Sequence, residues 1–221
     1  YRKEDDFCYQ SENNNCNGIS HLLEHVIFRN LKEQYKENFY ELLALNGIDI
    51  DACTYKEFLY LSIGGPSYSF EFASKLLSKI FCNIEISSDD FNREKNRIKA
   101  EIREKDEKHS LDYSYNKAVW NGTCIENSIL GNYSTINRIS LKKLNEFRSE
   151  VFSKNNIYVV LTGNIGEDDV EKLKNKLNDF NINQTEKFFD NKVKITEGFF
   201  NRSSDILVKQ DYWHYVKIGF D

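Results

Sequence analysis

An α+β layered domain is the fold class this sequence predicts. Three observations lead there: apolar stripes at helical spacing, two short β-rich runs that read as a hairpin, and an element order that mixes helices and strands without strict alternation.

Residues 11–18 form a polar loop that leads into residues 19–28, where Leu22, Leu23, Val26 and Ile27 recur at helical spacing and predict a short buried helix. A second helix is expected over 31–45, stopped by Asn46 and Gly47, a pair suited to a helix end with a left-handed residue. Residues 48–54 and 57–63, rich in Ile, Phe, Tyr and Leu, read as two strands joined at Tyr55 and Lys56. After Gly64, Gly65 and Pro66, residues 68–81 place Phe70, Ala73, Leu76, Leu77 and Ile80 on one helical stripe. A further helix starts near Ser87 to Asp90, where capping side chains and two acids complement the amino-terminal dipole, and it is expected to run through Glu101 towards Trp120. Then follow an amphipathic helix over 140–152, a short apolar strand over 157–161, a turn at Thr162, Gly163 and Asn164, and a charged helix over 168–180. Residues 181–205 turn polar and read as a linker, and 206–220 look like the opening strand of another unit.

The 221 residues suffice for one sizeable core and part of a second domain. A net charge of -5 with no basic block argues against a nucleic-acid partner and suits a peptide carrying some positive charge. No run of about 18 apolar residues occurs, and the segment from Tyr1 to Asp6 has no apolar signal-peptide core, so no membrane partner is expected. Five cysteines, none in a C-x-x-C pair, suit free thiols in a reducing compartment. A cytoplasmic location is the expectation, with an organellar one left open by the start at Tyr1.

The chemistry is concentrated in His21, Leu22, Leu23, Glu24 and His25. Two histidines four residues apart on a helix project about 40° from one another, so both imidazoles can reach one ion. Glu24 lies at the edge of the same face, near a bound ion and able to take a proton from water. This is the inverted form of H-E-x-x-H. A shuffled chain with four histidines would carry the pattern with a chance of roughly one in a hundred or less, so a metal site outranks an incidental pair. A catalytic zinc takes three protein ligands and keeps a fourth position open, so a distant carboxylate must complete the set. Glu94 and Glu101 share one face of the later helix, two turns apart, and spacing does not choose between them. His109 follows a charged run and reads as solvated, His214 reads as a strand residue with a structural partner, and the cysteines read as core thiols rather than ligands.

The block from Gly18 to Phe28 resembles the metal-binding helix of the pitrilysin, insulysin and mitochondrial processing peptidase family of inverzincin metallopeptidases. Gly47 through Tyr60 resembles the family's next block, with Asp51, Ala52, Cys53 and Thr54 where a strand usually ends in Asn-Ala-x-Thr; Asp51 departs from the asparagine. The stretch from Arg93 to Ile102, the trio Leu130, Gly131 and Asn132, and the run from Phe152 to Gly163 are similar to later blocks.

The resemblance implies a two-layer sandwich, a largely antiparallel sheet with helices on one face. It implies zinc, one ion per chain, held by His21, His25 and Glu101, with Glu94 supporting them and Glu24 as general base. Peptide substrates would add as a strand beside Asp51, Ala52, Cys53 and Thr54. A second homologous domain or subunit would complete the enzyme. On this reading residues 1–180 form the catalytic domain, 181–205 a linker and 206–221 the first strand of a second domain, with a strand or two of the first domain expected before Tyr1. The alternative is a non-catalytic member that serves as a structural or peptide-holding subunit.

Overall fold

The computed structural model describes residues 16–178, apart from 57, 106–109, 120–126 and 154–155. Among the described residues there are eight α-helices and one two-stranded antiparallel sheet, an α+β arrangement. The expected linker and final strand, His109 and His214 lie outside the described residues.

The elements run α1 (Ile19–Tyr35), α2 (Phe39–Leu45), β1 (Asp49–Thr54), β2 (Leu59–Gly64), α3 (Phe70–Ile80), α4 (Ser88–Lys105), α5 (Leu111–Val119), α6 (Tyr133–Arg138), α7 (Leu141–Val151) and α8 (Glu167–Asn178). Contacts gather the described chain into two units. One holds residues 16–22 and 95–139, and the other holds 23–94 and 140–178.

In the first unit the start of α1 is fixed by a backbone crossing. Gly18 and Gly131 both have positive φ, +91° and +71°. A Cβ on Gly18 would lie 2.7 Å from the Leu130 carbonyl oxygen, and one on Gly131 would lie 2.3 Å from that of Asn17. Only glycine permits both the conformation and the approach. Beyond the crossing, Asn132 caps α6 through a capping box: its side chain accepts from the Ser134 and Thr135 amides at 3.0 and 3.1 Å, while Thr135 Oγ1 accepts from the Asn132 amide. The α6 carboxyl end is met by Lys95, whose Nζ donates to the carbonyls of Asn137 and Ile139 at 2.8 Å each. Burial pulls the Lys95 ammonium below the usual lysine range, and neighbouring Lys99 adds to the effect. Ile19, Leu22, Ile98, Leu130, Ile136 and Ile139 are the buried apolar residues here.

The second unit combines a hairpin with helices. The hairpin pairs Asp49 with Gly64 through Thr54 with Leu59, as period-2 patterning requires. Ile50, Ala52, Thr54, Leu59, Leu61 and Ile63 share the less exposed face, while Asp49, Asp51 and Tyr60 are exposed on the other. Leu23, Val26, Ile27, Leu31, Leu76, Ile80, Leu144, Phe147 and Leu173 bring α1, α3, α7 and α8 into its core. The irregular stretch before α4 is held by side chains. Arg148 donates to the Phe81 carbonyl at 2.8 Å and to Asn83 Oδ1 at 2.5 Å, Asn145 exchanges two bonds with Ile84, and Asn30 bonds Asn83 and Glu85. A loop carrying buried backbone polar groups needs such partners.

Three expectations change. The helix read over 19–28 continues to Tyr35, and a 3₁₀ turn, Lys36–Asn38, separates it from α2; Leu31, 1% exposed, extends the buried stripe of α1. The long helix expected through Glu101 towards Trp120 is not continuous: α4 is described to Lys105, Ser110 is a bend outside any helix, and α5 begins at Leu111. The strand expected over 157–161 is not formed among the described residues: Tyr158 and Val160 are more than 80% exposed. A strand exists only beside a hydrogen-bonded neighbour, and no described segment supplies one there.

Candidate metal centre

Two helices build the site. On α1, His21, His25 and Arg29 follow at four-residue intervals along one face. On α4, Asp90 and Glu94 lie four apart and Glu101 two turns beyond Glu94. These faces meet in three antiparallel rungs. Arg29 pairs with Asp90, His25 Nδ1 lies 3.6 Å from Glu94 Oε2, and His21 Nε2 lies 3.2 Å from Glu101 Oε2. The Arg29 rung closes a capping arrangement at the start of α4, where the Ser87 hydroxyl donates to Asp90 at 2.7 Å and Ser87 Oγ accepts from the Asp90 amide at 3.0 Å. The Ser87 hydroxyl is the main cause that lowers the Asp90 carboxyl below its usual range; burial opposes this and the Arg29 guanidinium reinforces it.

The donor set fits a zinc ion. One ligand atom each from His21, His25 and Glu101 lies within 4.8 Å of the others, and this is the group of three or more metal-binding side chains among the described residues. Ligands about 2.0–2.2 Å from a tetrahedral zinc sit roughly 3.3–3.6 Å apart, close to the 3.2 Å between His21 and Glu101. Two imidazoles and one carboxylate are also the chemistry of a site that keeps a position open.

Glu94 occupies a different place. It is 2% exposed, and its carboxylate faces the Nδ1 of His25, which would direct the other ring nitrogen to an ion. Glu24 lies on α1 beside the histidines, and Thr54, the last residue of β1, donates its hydroxyl to Glu24 Oε2. The four residues expected beside a substrate divide by strand alternation: Asp51 and Cys53 lie on the outer face of the hairpin, Ala52 and Thr54 on the inner one. Cys16, Cys53 and Cys82 are free thiols of intermediate burial, and no cysteine joins the metal group; Cys8 and Cys124 lie outside the described residues.

Sequence reading missed Arg29 and the Thr54 to Glu24 bond. Arg29 was findable, since it continues the four-residue spacing of His21 and His25. The Thr54 bond was not, because thirty residues separate donor from acceptor.

The sequence profile of the insulinase family, peptidase family M16, matches residues 10–132, more than half of the chain. The chain belongs to the insulinase family of peptidases. The matched stretch contains His21, His25, Glu94 and Glu101, so family membership and the convergent side chains concern the same residues. Among curated relatives, the uncharacterized zinc protease YmxG of Bacillus subtilis is 24% identical over 71% of this chain and 39% of its own length. The mitochondrial-processing peptidase subunit beta of Dictyostelium discoideum is 24% identical over 92% of this chain and 43% of its own. The chain therefore spans about two fifths of these relatives. The family is one of peptidases, which supports a hydrolase reading at the level of the family. No helix among the described residues is long and apolar enough to cross a membrane.

Proposed function

We propose that this chain is the zinc-binding catalytic half of a metalloendopeptidase acting on short or unfolded peptides, with His21, His25 and Glu101 holding one zinc and Glu24 as general base. The observation that carries the reading is the convergence of two imidazoles and a carboxylate, one ligand atom from each within 4.8 Å of the others, with a fourth side chain, Glu24, on the same helix as the histidines. Zinc, when bound, supplies a Lewis acid that polarises a carbonyl and makes water more acidic.

The chain's own residues do the rest. Glu24 takes the proton from the attacking water and passes it to the leaving amine, which a carboxylate on a helix beside the ion is placed to do. Glu94 holds the His25 ring in the orientation and tautomer a ligand needs. The hairpin edge at Asp51, Ala52 and Cys53 offers main-chain groups to an extended peptide, and the exposed Asp51 carboxylate favours substrates with positive charge nearby. A second domain or subunit supplies the opposing wall and the oriented donors for the developing oxyanion. This is supported by the relatives, whose length is more than twice the part matched, and one of which is by name a subunit.

The decisive test is Glu24→Gln in the complete protein. The amide keeps the shape but cannot accept the proton, so zinc content stays at the parent level while turnover falls roughly 10²- to 10⁴-fold. Full turnover by this variant would refute the base. The isolated chain, assayed on a quenched peptide library, is expected to show little cleavage until the remaining half is added. Strong cleavage that the added half does not raise would refute the divided architecture.

A further inference from the structure

A glutamate has three side-chain torsions, so its place on a helix does not by itself fix where the carboxylate points. The donor that meets Glu24 comes from a stiff part of the structure. Thr54 is branched at Cβ and therefore restricted at χ1. It ends β1 opposite Leu59, and the Tyr55 amide, donating to the Phe58 carbonyl at 2.9 Å, locks the hairpin just beyond it. Its side chain is on the inner face and buried, at 8% exposed. A threonine hydroxyl has one proton to donate. Here that proton goes to Glu24 Oε2, so Thr54 has none left for a substrate carbonyl.

We propose that Thr54 is a positioning residue for Glu24: its hydroxyl holds Glu24 Oε2 and so fixes the direction in which the carboxylate is presented for proton transfer. The inference rests on the reading of Glu24 as general base and extends it to the hairpin. Because the strand offered to a peptide and the strand that fixes the base are the same β1, the base is held in register with the bound backbone.

The test uses Thr54→Val and Thr54→Ser in the complete zinc-loaded protein, with Glu24→Gln beside them. Valine keeps the branch and the volume but removes the donor. It should leave zinc content and KM near the parent and lower kcat roughly ten- to a hundredfold, as expected for a hydrogen bond to a charged group. Serine restores the donor and should bring kcat back to within about threefold of the parent, the remainder reflecting its looser rotamer. Should the valine variant fail to fold, Thr54→Ala against Thr54→Ser makes the same comparison. A second readout needs no metal: in the zinc-free protein, Thr54→Val should lower Tm in the parent but much less in a Glu24→Ala background, where the acceptor is gone. Parental kcat for Thr54→Val, equal losses for valine and serine, or additive Tm changes would each overturn the proposal. Parental turnover by Glu24→Gln would instead sink the general-base reading.

Discussion

On the proposed function, replacing Glu94 with Gln separates a residue that orients a ligand from one that is a ligand. Glu94 is 2% exposed and its Oε2 lies 3.6 Å from His25 Nδ1. Partners that orient ligating histidines typically contribute ten- to a hundredfold to metal affinity, about 1.4–2.7 kcal/mol. The 3.6 Å separation exceeds an ordinary hydrogen bond of about 2.9 Å, which places Glu94 at the lower end, so a loss of about tenfold is expected. Glutamine keeps the volume and can still accept from Nδ1, so the fold should survive. Glu101→Gln removes one of three protein donors and should weaken zinc far more, beyond a hundredfold. The assay is competition with a chelator of known zinc affinity, read for both variants and the parent. Parental affinity for Glu94→Gln, or a greater loss there than for Glu101→Gln, would refute the assignment of the two carboxylates.

Gly131→Ala should destabilise by at least about 2 kcal/mol, because it combines a left-handed backbone with a contact against the Asn17 carbonyl; a urea titration showing less than about 0.5 kcal/mol would contradict the crossing. Arg148→Met keeps most of the buried stem but leaves the Phe81 carbonyl and Asn83 side chain without their guanidinium donor, an expected loss of roughly 2–4 kcal/mol in the same measurement. The Asp90 carboxyl is held below its unfolded value near about 3.9, so it adds stability above that pH and the contribution is lost as pH falls through the folded pKa. Asp90→Asn should therefore lower stability at neutral pH and flatten its acid dependence below about pH 4, as followed by thermal melts across pH.

The sequence by itself determined the chemistry of α1. Leu22, Leu23, Val26 and Ile27 define a buried stripe, and the four-residue step from His21 to His25 places two imidazoles on one face whatever surrounds the helix. The i, i+4 relation is a local property of the backbone, which is why it could be read directly. The hairpin was legible for the same reason, through residue types and alternation over a few positions, and its observed strands begin a residue or two later than expected at 48 and 57. Helix ends were less legible. Nothing local at residue 28 stops α1, and Leu31 continues its buried stripe, so packing decided that the helix runs to Tyr35.

Spacing left the two carboxylates open, and tertiary structure shows which histidine each one faces. Glu94 and Glu101 share a face of α4, and spacing treats them alike. Only the antiparallel set of rungs, with Arg29 on Asp90 and His25 against Glu94, carries Glu101 to His21. The same holds for Gly18 and Gly131, whose backbones touch across more than a hundred residues of chain, and for Thr54, whose hydroxyl finds Glu24 from another element. In the opposite direction, the apolar run at 157–161 is strand-like in residue type yet lacks a strand among the described residues, because pairing is a relation between segments. What depends on torsions and residue types within a turn of helix or a few strand positions is written locally. What depends on two distant segments meeting is set by how the chain packs.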